Sequence, residues 1–166
     1  MSHRSDGILE PGQIAPLAPP EDRLLAGPVA IIECVENIPC DPCVAACPKG
    51  AIGIEGDMNG TPSVDFGVCD GCTLCISACP GLAIFVVNRS LGDETATISL
   101  PHEYVPLPAV GDTVVTLSRE GEVLGEGKVE RVLQAKALDR TPVVTLVVPA
   151  EHAMDVRHFT SKGMVE

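Results

Sequence analysis

Eight cysteines dominate the chemistry this sequence can offer, and they fall in two runs. Cys34, Cys40, Cys43 and Cys47 precede Pro48, and Cys69, Cys72, Cys75 and Cys79 precede Pro80. The second run reads C-x2-C-x2-C-x3-C-P; the first reads C-x5-C-x2-C-x3-C-P. Thiolates at such spacing are metal ligands before anything else. Zinc sites with four cysteines use two C-x2-C pairs separated by a longer loop. Here four cysteines share one stretch, and the stretch occurs twice. Three thiolates on one tight loop suit three irons of one cubane, so the expected chemistry is iron–sulfur. A disulfide framework belongs to oxidising compartments. The segment Met1–Gly7 lacks the apolar core of a signal peptide, which makes a cytoplasmic location the expectation. No cysteine is left over for catalysis.

The elements that position these thiolates repeat as well. Cys40, Cys43, Cys47 and Pro48 recur as Cys72, Cys75, Cys79 and Pro80 at a constant offset of 32, as does Ala51-Ile52 at Ala83-Ile84. The first cysteine breaks the offset, because the first run carries a three-residue insertion. Val29–Ile32 and Ala83–Val87 are expected as short strands, with helical turns after Cys43 and Cys75 that the prolines end. Ala51–Ile54 and Ser63–Phe66 flank Asn59-Gly60, a strong hairpin signal.

Outside this stretch the pattern changes. Residues 1–27 are rich in Pro and Gly without periodicity, and are expected to form an extended arm on a surface. From about Thr95 the chain is strand-like. Thr113–Ser118 and Glu122–Leu133 flank a turn at Glu120-Gly121, and Pro142–Val148 is a further apolar run. Gly125 and Gly127 suggest a bulge or a barrel corner, and Asp139–Pro142 a turn. Glu151–His158 fits a helical turn or a last strand. The expected class is α+β: a two-cluster module with a pseudo-two-fold repeat at 28–91, then a small all-β, barrel-like domain at 92–166.

Residues 29–88 resemble a bacterial-type ferredoxin with two [4Fe–4S] clusters, and the second cysteine run matches that family's motif in full. The first departs from it by its longer first gap. The resemblance implies crossed ligation, in which the fourth cysteine of each run serves the other cluster. One cluster would be held by Cys34, Cys40, Cys43 and Cys79, the other by Cys69, Cys72, Cys75 and Cys47. The whole chain is also similar to small ferredoxin-like subunits of bacterial FAD-dependent amino-acid or imino-acid dehydrogenases. That likeness rests on Ile32–Cys40 and on the appended Val-rich domain.

Composition narrows the function further. The formal charge of −12 argues against nucleic acid, and no apolar run approaches the length of a membrane helix. The acidity is spread over both halves, which suits a partner with a basic docking patch. Aromatics make up only 2%, so the core must be aliphatic. His3, His102, His152 and His158 are scattered and lack the paired pattern of Rieske ligation. Asp57 and Asp65 read as turn residues, and Lys49 as a charge that could tune a neighbouring cluster. No phosphate-binding glycine motif appears. The expectation is an electron-relay subunit of a multisubunit, flavin-dependent oxidoreductase, partnered by a flavoprotein or other oxidoreductase subunits and without catalytic residues of its own. The β-domain is expected to dock the partner. The alternatives are a free soluble ferredoxin and a structural subunit whose clusters only staple the fold.

Overall fold

The computed structural model describes residues 3–92, 94–138 and 141–161; Asp139 and Arg140 of the expected turn lie outside it. The arm is not extended throughout. It winds into α1 (His3–Asp6), α2 (Pro11–Ile14), a 3-10 turn at Ala15–Leu17 and α3 (Glu21–Ala26). Pro11 opens α2, where its missing N–H costs nothing. The Glu10 N–H donates to Gln13 Oε1 at 3.1 Å, closing the first turn. Leu24 of α3 reaches the core and is 3% exposed.

Among the described residues nine strands follow: β1 (Val29–Ile32), β2 (Ile52–Ile54), β3 (Pro62–Val64), β4 (Ile84–Asn88), β5 (Thr95–Pro101), β6 (Thr113–Leu117), β7 (Val123–Leu133), β8 (Val143–Pro149) and β9 (His158–Ser161). Two short helices, α4 (Pro42–Ala46) and α5 (Leu74–Ala78), carry cysteines. β2 and β3 pair as the hairpin expected around Asn59-Gly60, with Ile52 opposite Val64. The other seven strands form one antiparallel sheet in the order β1-β4-β5-β8-β7-β6-β9.

That sheet runs unbroken across residue 91, the boundary expected between two domains. Val86, Val87 and Asn88 of β4 pair with Ser99, Ile98 and Thr97 of β5. An apolar strand such as β4 cannot leave an edge bare without cost, and β5 covers it. The sheet also curls on itself. Glu33, directly after β1, meets Arg157, directly before β9, although these are the two outermost strands. Gly127 on β7 is packed closely against β6 and β8, where a Cβ would meet Thr116 Cγ2 at 2.8 Å and Val148 Cγ1 at 3.3 Å. The β6–β7 register shifts beside Gly125, as its position in the second hairpin strand implied.

β1 is buried on both faces, and this positions the cysteines. Val29 and Ile31 join Phe85, Val87, Ile98, Leu100, Val114, Val129, Leu146 and Phe159 inside the curled sheet. Ala30 and Ile32 join Ile84, Val86, Ile52 and Ile76 on the other face, packed against Cys43 and Cys75. Fully burying one such isoleucine contributes about 1.5–3 kcal/mol. Two strands thus form a shared wall, with aliphatic packing behind and thiols in front. Among the described residues no helix is long and apolar enough to cross a membrane.

Candidate metal centre

The two halves of the cysteine module repeat their backbone geometry. α4 ends at Cys47, whose N–H donates to the Val44 carbonyl at 3.2 Å; α5 ends at Cys79, whose N–H donates to the Ile76 carbonyl at 3.3 Å. Both cysteines leave the helix in extended conformation. Three residues on, Gly50 (φ 64°) and Leu82 (φ 52°) take the same left-handed conformation. That turn aims the next N–H back at sulfur: Ala51 N–H donates to Cys47 Sγ at 3.3 Å, and Ala83 N–H to Cys79 Sγ at 3.5 Å. Such donors stabilise negative charge on a thiolate and on whatever it binds.

The sulfurs fall into two groups that cross the halves. One cavity is lined by Cys47, Cys69, Cys72 and Cys75, with Lys49, Asp70 and the apolar side chains Ala30, Ile52 and Val86. Burial, then the charges of Cys69, Cys72 and Cys47, push the Cys75 thiol up to about 12. Burial raises Cys72 as well, with Asp70 and Cys47 adding to it. In the other group burial raises Cys34 and Cys43, and both feel the charges of Cys79 and Cys40. Cys47 goes the opposite way. Burial opposes its ionisation, but the N–H groups of Ala51, Lys49, Ile52 and Gly50 outweigh it and pull the thiol below its ordinary range. Thiols held up by burial and by one another must surrender their protons on metal binding, so loading would release protons.

Among the described residues no three His, Cys, Asp or Glu side chains converge as a single-ion site. A cubane asks for no such convergence, since each of its four thiolates binds a different iron. A cavity walled by four cysteines and aliphatic side chains, with backbone N–H groups on the sulfurs, fits that group.

The two loops are held in place differently. The second loop is braced by Arg23 of α3, which donates to the carbonyls of Phe66 at 2.6 Å, Cys69 at 2.7 Å, and Gly27 and Pro28 at 2.9 Å each. Gly71 sits under Pro28, where a Cβ would meet side-chain and backbone atoms at 2.5–2.9 Å, and its φ is 68°. Buried Thr73 follows with φ 72°, a strained setting for a β-branched residue. Ala30 N–H donates to Cys69 Sγ at 3.4 Å.

The first loop starts at Glu33, whose side chain is 7% exposed. Arg157 donates to Glu33 from Nε at 3.0 Å and Nη2 at 2.7 Å, and Arg119 donates from Nε at 3.0 Å and from Nη2. Burial opposes the charge on Glu33, and the two guanidinium groups outweigh it, holding the carboxyl below its usual range. Arg157 also lies over the Phe85 ring at 4.6 Å. The long gap itself is tied down by Asn37 Nδ2 donating to the Asn59 carbonyl at 3.3 Å.

The remaining candidates lie outside these groups. Asp57 and Asp65 accept the N–H groups of Asn59 and Gly67, which is turn chemistry. His102 stacks on Phe159 at 4.4 Å, with His158 and Tyr104 beside it; His152 faces Glu151. Lys49 does lie by the second loop, its Nζ 3.3 Å from Asp70. Arg23, Arg119 and Arg157 went unnoticed in the sequence, because no local pattern ties them to the cysteines.

No protein-family model matches the chain, and no solved structure matches it. It is similar to "Pyruvate synthase subunit PorD" of Methanocaldococcus jannaschii, at 37% identity over 59 residues. The aligned segment covers 36% of this chain and 66% of that relative. That protein belongs to a different assembly from the FAD-dependent dehydrogenases named by the sequence resemblance.

Proposed function

We propose that this chain is an electron-transfer iron–sulfur protein holding two [4Fe–4S] clusters in a ferredoxin-like module, and that it serves as an electron-relay subunit of a multisubunit oxidoreductase. The observation that carries the reading is the cavity in which Cys47 of the first run joins Cys69, Cys72 and Cys75 of the second, with the charge of Cys79 felt in turn by Cys34 and Cys43. Cys34, Cys40, Cys43 and Cys79 would hold one cluster, and Cys69, Cys72, Cys75 and Cys47 the other. When bound, each cluster supplies a one-electron couple. The likeness to a pyruvate synthase subunit supports work within a larger enzyme over free diffusion. Flavin on a partner would meet the relay's need, as would any centre that exchanges electrons singly.

The chain's own groups prepare the site for that task. Ile32, Ile52, Ile76, Ile84 and Val86 keep water from its inner side. The N–H groups of Ala30, Ala51 and Ala83 point at sulfur, so negative charge arriving there meets fixed dipoles and little needs to move. Anaerobically purified protein should contain about eight irons and eight sulfides per chain. One zinc and no sulfide would end the reading. A reduction titration in which the clusters take up no electron would leave them as staples only.

A further inference from the structure

The large sheet ends in two edge strands, and they are treated differently. β1 has β3 packed against it, and its Ala30 N–H is taken by Cys69 Sγ. β9 pairs with β6 on one side, and among the described residues no strand bonds its other side. A cavity of about 270 Å³ lies there, lined by residues 158–161 of β9 and by the loop after β5, Tyr104 and Val105 included. Successive strand residues point to opposite faces, so a cavity touched by all four lies along the edge of β9.

That loop carries the most exposed apolar side chains of the molecule. Val105 is 87% exposed, Tyr104 67% and Val110 66%, the three highest values for large apolar side chains among the described residues. Between Pro101 and Asp112 the loop holds a single charged residue, Glu103, which accepts the Thr141 hydroxyl. In a chain of formal charge −12, no acid, lysine or arginine lines the cavity. Burial holds His102 and His158 below their ordinary range, and His158 adds to the effect at His102, so both rings are neutral at pH 7. His102 is 6% exposed, and its Nδ1 has no hydrogen-bond partner among the described residues, an unmatched polar atom in the cavity wall.

We infer that a partner subunit docks here by adding an extended, uncharged segment to the free edge of β9, with an apolar side chain seated in the cavity beside Tyr104. This rests on the reading of the chain as a subunit of a larger enzyme. The backbone selects the form of the occupant. An edge strand offers N–H and C=O groups at strand spacing, and another extended backbone matches them in series. The lining selects its side chains, since a charge brought into this cavity would be buried without an opposite charge. A second copy of the chain is disfavoured, because two chains of formal charge −12 repel each other.

The test compares the native complex with the free chain. Tagged full-length protein is purified from its own cells with the subunits that accompany it, and amide hydrogen exchange is followed beside recombinant holoprotein alone. In the complex, loop 102–110 and those amides of residues 158–161 that do not bond β6 should exchange at least about tenfold more slowly. A protected loop with β9 unchanged would overturn strand addition, and both unchanged in an intact complex would overturn the surface. Val105→Glu and Val110→Glu should each weaken association with the accompanying subunits by about tenfold or more. Val123→Glu makes the same change of charge at a valine 55% exposed at the start of β7, and should weaken it by less than about twofold. Iron content verifies loading of all three, and equal losses would overturn the assignment. So would a native chain that elutes alone at 17.3 kDa or as a dimer of itself. Clusters that accept no electron from dithionite would instead overturn the relay reading.

Discussion

The two halves of the cysteine module share a backbone and differ in what anchors it. Past Cys47 and Cys79 the same left-handed turn brings the same N–H onto sulfur. Ahead of the cysteines nothing matches. The first loop hangs from a buried carboxylate gripped by two arginines of the β-sheet, while the second hangs from one arginine of the arm that binds only carbonyls. The repeat thus fixes sulfur geometry, and the added segments fix how firmly, and under which conditions, each loop is held.

The largest effects should come from the one point where the halves depend on each other. Cys79→Ser should cost the cluster that shares Cys34, Cys40 and Cys43, and Cys47→Ser the other, with iron falling from about eight towards about four per chain. EPR should distinguish the two, because only one would sit on the long-gap loop. If Cys79→Ser altered the same cluster as Cys75→Ser, ligation would be local and the halves independent.

The next contrast is in pH. Glu33 has a folded pKa below its unfolded value of 4.5, so its ion pairs contribute fully above that value and are lost as pH falls through the folded one. Glu33→Gln leaves Arg157 buried without its compensating negative charge, and should cost about 3–5 kcal/mol at pH 7. It should also flatten the acid limb of the stability curve. Denaturant melts from pH 3 to 7 would check this; an acid limb as steep as in the parent would assign the limb to other carboxylates. Arg23→Ala, at the second loop, should lower stability with no such change in slope.

Smaller still is the glycine comparison. Gly71→Ala collides with Pro28 and should cost about 2–3 kcal/mol. Gly50→Ala meets open space and should cost only about 1 kcal/mol, the penalty of its φ. Equal losses would remove close packing as the reason for Gly71. The smallest effect expected is that of Lys49→Glu. A positive charge near a cluster favours its reduced form, so this change should lower the potential of the Cys72 cluster, by on the order of 1 kcal/mol or less given its exposure. A redox titration resolving both clusters reads it, and an unmoved Cys72 potential would leave Lys49 a solvated partner of Asp70.

What could be read in advance was local. Cysteine spacing, the 32-residue offset and turn signals such as Asn59-Gly60 act over a few residues, and the strands and short helices they imply are present. The docking of distant pieces could not be read this way. Glu33 and Arg157 are 124 residues apart, and neither sits in a motif. Arg23 looked like one charge in an aperiodic arm. The division at 91 followed the end of the cysteines, whereas the sheet continues because β4 needs β5. A chain cut near Leu91 would therefore strip β5 from the side of β4 as well as any docking surface, and is not a clean test of the β-region as an adapter.

The position of the clasp also sets an order of events in time. Every cysteine lies before residue 80, while Arg119 and Arg157 come much later. A chain leaving the ribosome exposes its full set of thiolates while the sheet cannot yet curl shut, since β5–β9 are still unmade. Closure then waits on contacts between the two ends of the sheet, the slowest kind to find. Synthesis thus presents every cysteine before the last strands can complete the sheet behind them.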